Sequence, residues 1–180
     1  LARSRGLGDV YKRQVGRLWR WTIDLASETV TEEEIDDRPG DFGRVADSVV
    51  GLEANYGYLM AMAGEGNSEE PVYGSALWKY DLHTGKCWEH HLGEGVRGGE
   101  PAFAADPESN GEDEGWIITI VHSETKGASK MIIVDAQDFE SEPIATIQLP
   151  QRVPYGAHGS WITDTSCLLY TSDAADDCEG

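Results

Sequence analysis

The chain has 180 residues, with 33 Asp+Glu against 14 Lys+Arg for a formal net charge of −19, and 39% of its residues are apolar. That apolar share suffices for a packed core, so wholesale disorder is not expected, and the acid excess argues against nucleic-acid or anionic-membrane partners. No apolar run approaches the roughly 20 residues that span a bilayer, and no apolar h-region follows the basic N-terminal stretch, so neither a transmembrane segment nor a signal peptide is expected.

In chain order, the first segment looks foreign. Residues 4–14, SRGLGDVYKRQ, end in the translation of GATGTGTATAAGAGACAG, and residues 167–177, CLLYTSDAADD, begin with that of TGTCTCTTATACACATCTGAC. The two DNA segments carry one transposon-end sequencing adapter, forward at the start and in reverse complement at the finish. Residues 1–14 and 167–180 are therefore read as translated adapter, and residues 15–166 as part of a longer gene. That stretch holds 28 acidic and 10 basic residues, net −18, and of the three cysteines only Cys87. One cysteine supports neither a disulfide framework nor a Cys-based zinc site, so a reducing, cytoplasmic location is expected.

The next segments read as strands and turns. Residues 18–25 (LWRWTIDL) are rich in aromatic and β-branched residues, and a polar turn follows. Residues 31–37 suit a short helix or a strand running into a turn. Residues 56–62 read as a strand; residues 77–82 (LWKYDL) as another, closed by a turn at residues 83–86 (HTGK). Further strands are expected at residues 87–91, 116–121, 131–136 and 144–149. The acidic tracts at residues 64–70 and 106–114 read as solvated loops. Asp24, Asp81 and Asp135 close three similar strands at spacings of 57 and 54 residues. That is close to one four-stranded propeller blade, so the pattern predicts an all-β chain of about three blades.

Most informative is residues 150–161, PQRVPYGAHGSW. His158, between glycines near a strand end, fits a surface turn residue. The glycines also permit close backbone approach and the Pro-Tyr lead-in makes a rigid entry, which suits a histidine presented into a central cavity. The other histidines are expected to be structural or surface residues. His83 lies in a turn, His90 and His91 face opposite sides of one strand, and His122 ends a strand. No nucleophile elbow, phosphate-cradling loop, His-Glu-x-x-His helix or EF-hand loop is present.

Taken together, LWRWTIDL, DDRPGDFGRV, NYGYLMAM, LWKYDLHTGK, GGEPAFAADP, GWIITIV, IIVDAQDF and RVPYGAHGSW resemble, in order, the C-terminal part of the carotenoid cleavage oxygenases. The resemblance implies a seven-bladed β-propeller, of which residues 15–166 are the C-terminal part. On its axis it implies one non-haem Fe(II) held by four histidines, the last of them His158. Glu100, in the Gly-Glu-Pro-x-Phe motif, matches a glutamate that hydrogen-bonds a ligand imidazole, here paired with His158. Asp41 falls where the family has the glutamate of Glu-Phe-Pro-Arg, one methylene shorter, and is carried over as a weaker partner of the same kind.

The implied reaction adds O2 across one alkene of an apolar polyene or stilbene and gives two carbonyl products, with no organic cofactor. With a single iron ligand, the 180-residue chain by itself is expected to be inactive. The whole enzyme would be free of transmembrane segments, with peripheral membrane contact allowed by its lipophilic substrates. The competing expectation is a non-catalytic propeller that serves as a binding scaffold. The enzyme needs three further histidines in earlier blades; the scaffold does not.

Overall fold

Eleven strands and one 3-10 turn (Asp47–Val49) are the regular elements of the computed structural model, which describes residues 16–63, 72–156 and 158–163. The adapter-like ends, Cys167, Cys178 and the loop expected at residues 64–70 lie outside these residues. Strands β1 (Leu18–Asp24) and β2 (Thr29–Asp36) form an antiparallel ladder. The pairing decides the ambiguous 31–37 segment in favour of a strand, because Thr31, Glu32, Glu33, Glu34 and Asp36 each find a partner on β1, with Ile35 skipped at a register shift.

A second sheet runs in chain order through β3 (Gly40–Arg44), β4 (Tyr56–Ala63), β5 (Val72–Asp81) and β6 (Cys87–His91). The third contains β7 (Val96–Arg97), β8 (Ala102–Ala105), β9 (Gly115–Ser123), β10 (Ala128–Asp135) and β11 (Ala145–Gln148). Here β7 and β8 pair with opposite ends of β9, in registers one residue apart, so they are two pieces of one strand broken at residues 98–101. The three sheets are blade-like units, as the spacing of the strand-closing aspartates predicts.

The middle sheet is covered on both faces. Tyr58, Met60 and Leu77 join Phe103, Ile117, Val121, Ile132, Val134 and Phe139 in a core against the third sheet. The alternate residues Leu59, Ala61, Ala76, Trp78 and Tyr80 pack with Leu18, Ile35, Leu82 and Cys87 against the first. Two buried faces explain why residues 56–62 read as a continuous apolar run rather than an alternating one. Met60 and Leu77 are fully buried, and each such side chain contributes about 1.5–3 kcal/mol of transfer free energy. Between the first two sheets, Asp36 accepts from Arg38 at 2.6 Å and from the Tyr80 hydroxyl at 2.8 Å, while the Arg38 guanidinium lies 4.3 Å over the Trp78 ring.

The acidic stretch at residues 106–114 is not the solvated loop that its charge suggested. Glu112 accepts the backbone N–H groups of Asn55 and Tyr56 at 2.7 and 2.8 Å. Asp113 pairs at 2.7 Å with Lys79, which is only 3% exposed. Two of its carboxylates are thus structural: they satisfy strand-end donors and a buried cation on the neighbouring sheet.

His90 and His91 face opposite sides of β6, as strand geometry requires. His91 is exposed, whereas His90 is 4% exposed and donates from Nδ1 to the Phe139 carbonyl at 3.0 Å. Burial holds the His90 imidazole below its ordinary pKa of 6.5, against smaller opposing effects of the Phe139 carbonyl and Glu142. Well above pH 6.5 this residue is neutral in both folded and unfolded chains. As pH falls below that value the unfolded chain takes up the proton first, so stability is lost on acidification. Urea unfolding of the wild type should therefore weaken more steeply between pH 6.5 and 5.5 than that of His90→Gln, by up to about 1.4 kcal/mol per pH unit. Equal slopes would contradict the assignment.

Candidate metal centre

Two backbone irregularities build the site, each on the first strand of its sheet. In β3, Asp41 pairs with Met60 but Arg44 with Tyr58, and the extra residue is absorbed as a bulge in which Phe42 takes φ +59°. A bulky residue in the left-handed region costs roughly 1–2 kcal/mol, which the surrounding packing must offset. In the third sheet, the Gly-Gly-Glu-Pro break separates β7 from β8. A Cβ on Gly99 would lie 2.6 Å from the Ile120 carbonyl oxygen, so only glycine allows this approach to β9. The break carries Glu100, and the Pro101 that ends it has no N–H to leave unpaired.

Residues 153–156 are held by β10 and β5, and His158 and Gly159 meet Phe42, Arg44 and Glu100 on the two irregular strands. Val153 N–H donates to Ser129 Oγ at 2.9 Å, and the Tyr73 hydroxyl donates to the Gly156 carbonyl at 3.0 Å. Tyr73 is stacked between Tyr155 at 4.7 Å and Phe42 at 5.9 Å. Burial, with Asp41 and Tyr155 adding to it, pushes the Tyr73 hydroxyl above its ordinary pKa, so it stays protonated as the donor. The segment is therefore fixed at both ends before His158 is reached.

Glu100 Oε1 faces His158 Nδ1 at 3.3 Å, and Glu100 Oε2 accepts the Gly159 N–H. The Glu100 side chain is 9% exposed and that of His158 78% exposed. A carboxylate oxygen accepts, so in the neutral imidazole this contact places the proton on Nδ1 and leaves Nε2 as the acceptor nitrogen. The Phe42 ring meets the imidazole edge-on at 5.9 Å. Beside the pair lies a cavity of about 330 Å³, with Ile118, Met131, Tyr155 and Trp161 among its walls.

Of the three residues singled out from the sequence, Glu100 and His158 are brought together, 58 positions apart in the chain. Asp41 is not joined to them. Its carboxylate is exposed and accepts the Phe42 N–H at 2.7 Å, within the bulge. His83 lies in its expected turn, 2.9 Å from Asn55 Oδ1. His122 lines the cavity, but it is buried, with Nδ1 3.3 Å from Ser129 Oγ and the Tyr155 ring edge-on at 6.0 Å. The sequence places it only at a strand end, not at the cavity wall. Sequence reasoning missed Arg44 and Tyr73. Arg44 donates from Nε to Glu100 Oε1 at 2.9 Å and from Nη2 to the Gly159 carbonyl.

Among the described residues, no group of three or more His, Cys, Asp and Glu side chains is placed to hold a metal ion. The donor chemistry nevertheless fits one position of a metal centre. A neutral imidazole, its tautomer set by a carboxylate and its other nitrogen bare, is how proteins present histidine to a metal.

A family model described as retinal pigment epithelial membrane protein matches residues 3–163. The chain is 34% identical over 146 residues to the apocarotenoid-15,15'-oxygenase of Synechocystis sp., covering 81% of this chain and 29% of that protein. It is also 34% identical over 152 residues to the zeaxanthin 7,8(7',8')-cleavage dioxygenase of Crocus sativus, covering 81% and 40% respectively. Among solved structures, the crystal structure of cobalt-substituted Synechocystis ACO superposes with a TM-score of 0.75 at 33% identity, over 82% of this chain and 30% of that one. An ACO/RPE65 chimera superposes with a TM-score of 0.74 at 30% identity, with the same coverage. The chain thus spans between 29% and 40% of the length of these curated relatives.

Proposed function

Because the chain belongs to the carotenoid cleavage oxygenase family, we propose that it is the part of an alkene-cleaving dioxygenase that presents one metal ligand, His158, oriented by Glu100. The observation that carries this reading is the Glu100–His158 pair, 3.3 Å apart in the wall of a partly apolar cavity. The metal is Fe(II), held by His158 and by three histidines contributed from outside this chain. When bound, it supplies the O2 chemistry that splits one alkene into two carbonyl products.

The residues of this chain supply position and surroundings. Glu100 orients the ring through Nδ1, so that Nε2 is available as a ligand atom. Its second oxygen anchors the Gly159 peptide next to the ligand. Ile118, Met131, Tyr155 and Trp161 offer apolar surface beside it, suited to a polyene and unfavourable to water. The substrate class is a carotenoid, apocarotenoid or stilbene. No helix among the described residues is long and apolar enough to cross a membrane. A cytoplasmic enzyme whose membrane contact is peripheral, made to collect substrate, is part of this reading.

Asp41 belongs to the same reading as the partner of another ligand histidine, one that this chain does not contain. A non-catalytic scaffold would have no use for a carboxylate held on an imidazole with a bare nitrogen. Replacement of Glu100 by glutamine in the whole enzyme tests the reading. Metal affinity or kcat/KM should fall about 10–100-fold with the fold retained. Unchanged metal affinity would remove Glu100 from the centre.

A further inference from the structure

One charged residue reaches into the centre without being a ligand or a ligand's direct partner. Arg44 leaves β3 just past the bulge and crosses to the next sheet, where it meets Glu100 and the Gly159 carbonyl. These are the two groups that hold His158 in place. Glu100 Oε1 faces the imidazole, and Gly159 is the next residue in the chain, its N–H bound to Glu100 Oε2. The Gly159 peptide groups are thus engaged on both sides, one by Glu100 and the other by Arg44.

The bulge is what makes this reach available. Without its extra residue, Arg44 would sit one register position away and its side chain would leave the opposite face of the sheet. Phe42, the residue forced to φ +59° by the same bulge, has its ring edge against His158. A glutamate side chain has three rotatable bonds and would not stay in one orientation unaided. A planar guanidinium that donates from two nitrogens fixes the carboxylate on one side and the backbone on the other, which a lysine, as a single point charge, cannot do.

We propose that Arg44 is a positioning residue of the metal centre: it ties Glu100 and Gly159 to β3, and so sets the orientation in which His158 presents Nε2. The proposal rests on the reading of His158 as a metal ligand. It is tested on the whole enzyme by Co(II) affinity, measured by competition with a chelator, together with the visible Co(II) spectrum and thermal unfolding. The proteins compared are wild type, Arg44→Gln, Arg44→Lys, Glu100→Gln and the Arg44→Gln/Glu100→Gln double variant.

Both Arg44 variants should bind Co(II) about 10-fold more weakly, with an altered spectrum, as when an outer partner of a ligand is lost. In the Glu100→Gln background the Arg44→Gln change should cost little more, because its main target is gone. Wild-type affinity in Arg44→Gln and Arg44→Lys would overturn the proposal. So would full additivity with Glu100→Gln, which would mark Arg44 as acting independently. If Arg44→Gln fails to fold, Arg44→Lys, which keeps the charge and the stem, carries the test. A wild-type enzyme that binds no Co(II) overturns the reading of His158 itself; a wild type that binds, with Glu100→Gln weakened and both Arg44 single variants binding equally well, overturns only the role of Arg44.

Discussion

Replacing His158 with alanine is expected to strip the whole enzyme of tightly bound metal, and of alkene cleavage with it, while leaving the fold intact. The separation of the two effects follows from burial. The His158 side chain is 78% exposed, so its loss removes little packing, and stability should change by no more than about 0.5 kcal/mol. Nor would the change strand a buried charge, because Glu100 keeps Arg44 and the Gly159 N–H as partners. Metal affinity should fall by more than the about 10–100-fold expected for Glu100→Gln, since a donor atom rather than its support is lost. Metal analysis of the purified variant against wild type, with thermal midpoints for both, measures the two halves together. Full metal content in the variant would exclude His158 as a ligand.

The largest stability effect is expected at Lys79, far from that centre. Its ammonium donates to Asp113 Oδ2 and to the Ala136 carbonyl, both at 2.7 Å, and lies 4.3 Å over the Tyr56 ring and 5.3 Å over that of Trp88. The lysine is 3% exposed and Ala136 fully buried, so neither the cation nor the carbonyl has water to fall back on. Lys79→Ala leaves the carbonyl unpaired and Asp113 without its cation, and opens a cavity between the aromatic rings. Breaking a buried pair in this way costs about 3–5 kcal/mol. Lys79→Met keeps the volume and should cost less, and Lys79→Met combined with Asp113→Leu should recover part of the loss, because the orphaned carboxylate is removed as well. Urea unfolding of the three variants measures this order. A loss below about 1 kcal/mol in Lys79→Ala would contradict the buried-pair account.

How far each feature could be read from the sequence depended on whether its cause was local. The strands β4, β5, β9 and β10 announce themselves as apolar, aromatic and β-branched runs because they are largely buried, and β1 reads the same way although most of its residues are exposed. The strand at Thr29–Asp36 did not, since Thr-Val-Thr-Glu-Glu-Glu has no preference strong enough to choose without the β1 partner. The short strands β3, β7 and β8 were hidden by the glycines that interrupt or flank them, and those glycines mark where the sheet is bent towards the centre.

The same distinction applies to the candidate site. Glu100 and His158 stand in recognisable motifs, but the contact between Arg44 and Glu100 spans 56 positions and requires a phenylalanine at positive φ. No local preference points to that conformation for a phenylalanine; the stacking of Phe42 on Tyr73 and its edge contact with His158 hold it there. Charge misled at residues 106–114 for a similar reason. A run of acids reads as solvated until the buried Lys79 and the strand-end N–H groups that it serves are seen on another sheet.

One assay decides whether this chain carries part of an oxygen-dependent alkene-cleaving centre. The whole enzyme, loaded with Fe(II), is supplied with an apocarotenoid and O2, and its products are identified by mass. Cleavage of a single double bond into two carbonyl products, dependent on O2 and absent in His158→Ala, is the result expected. Failure of the metal-loaded wild type to cleave apocarotenoid, carotenoid or stilbene, or full cleavage by His158→Ala, would contradict it.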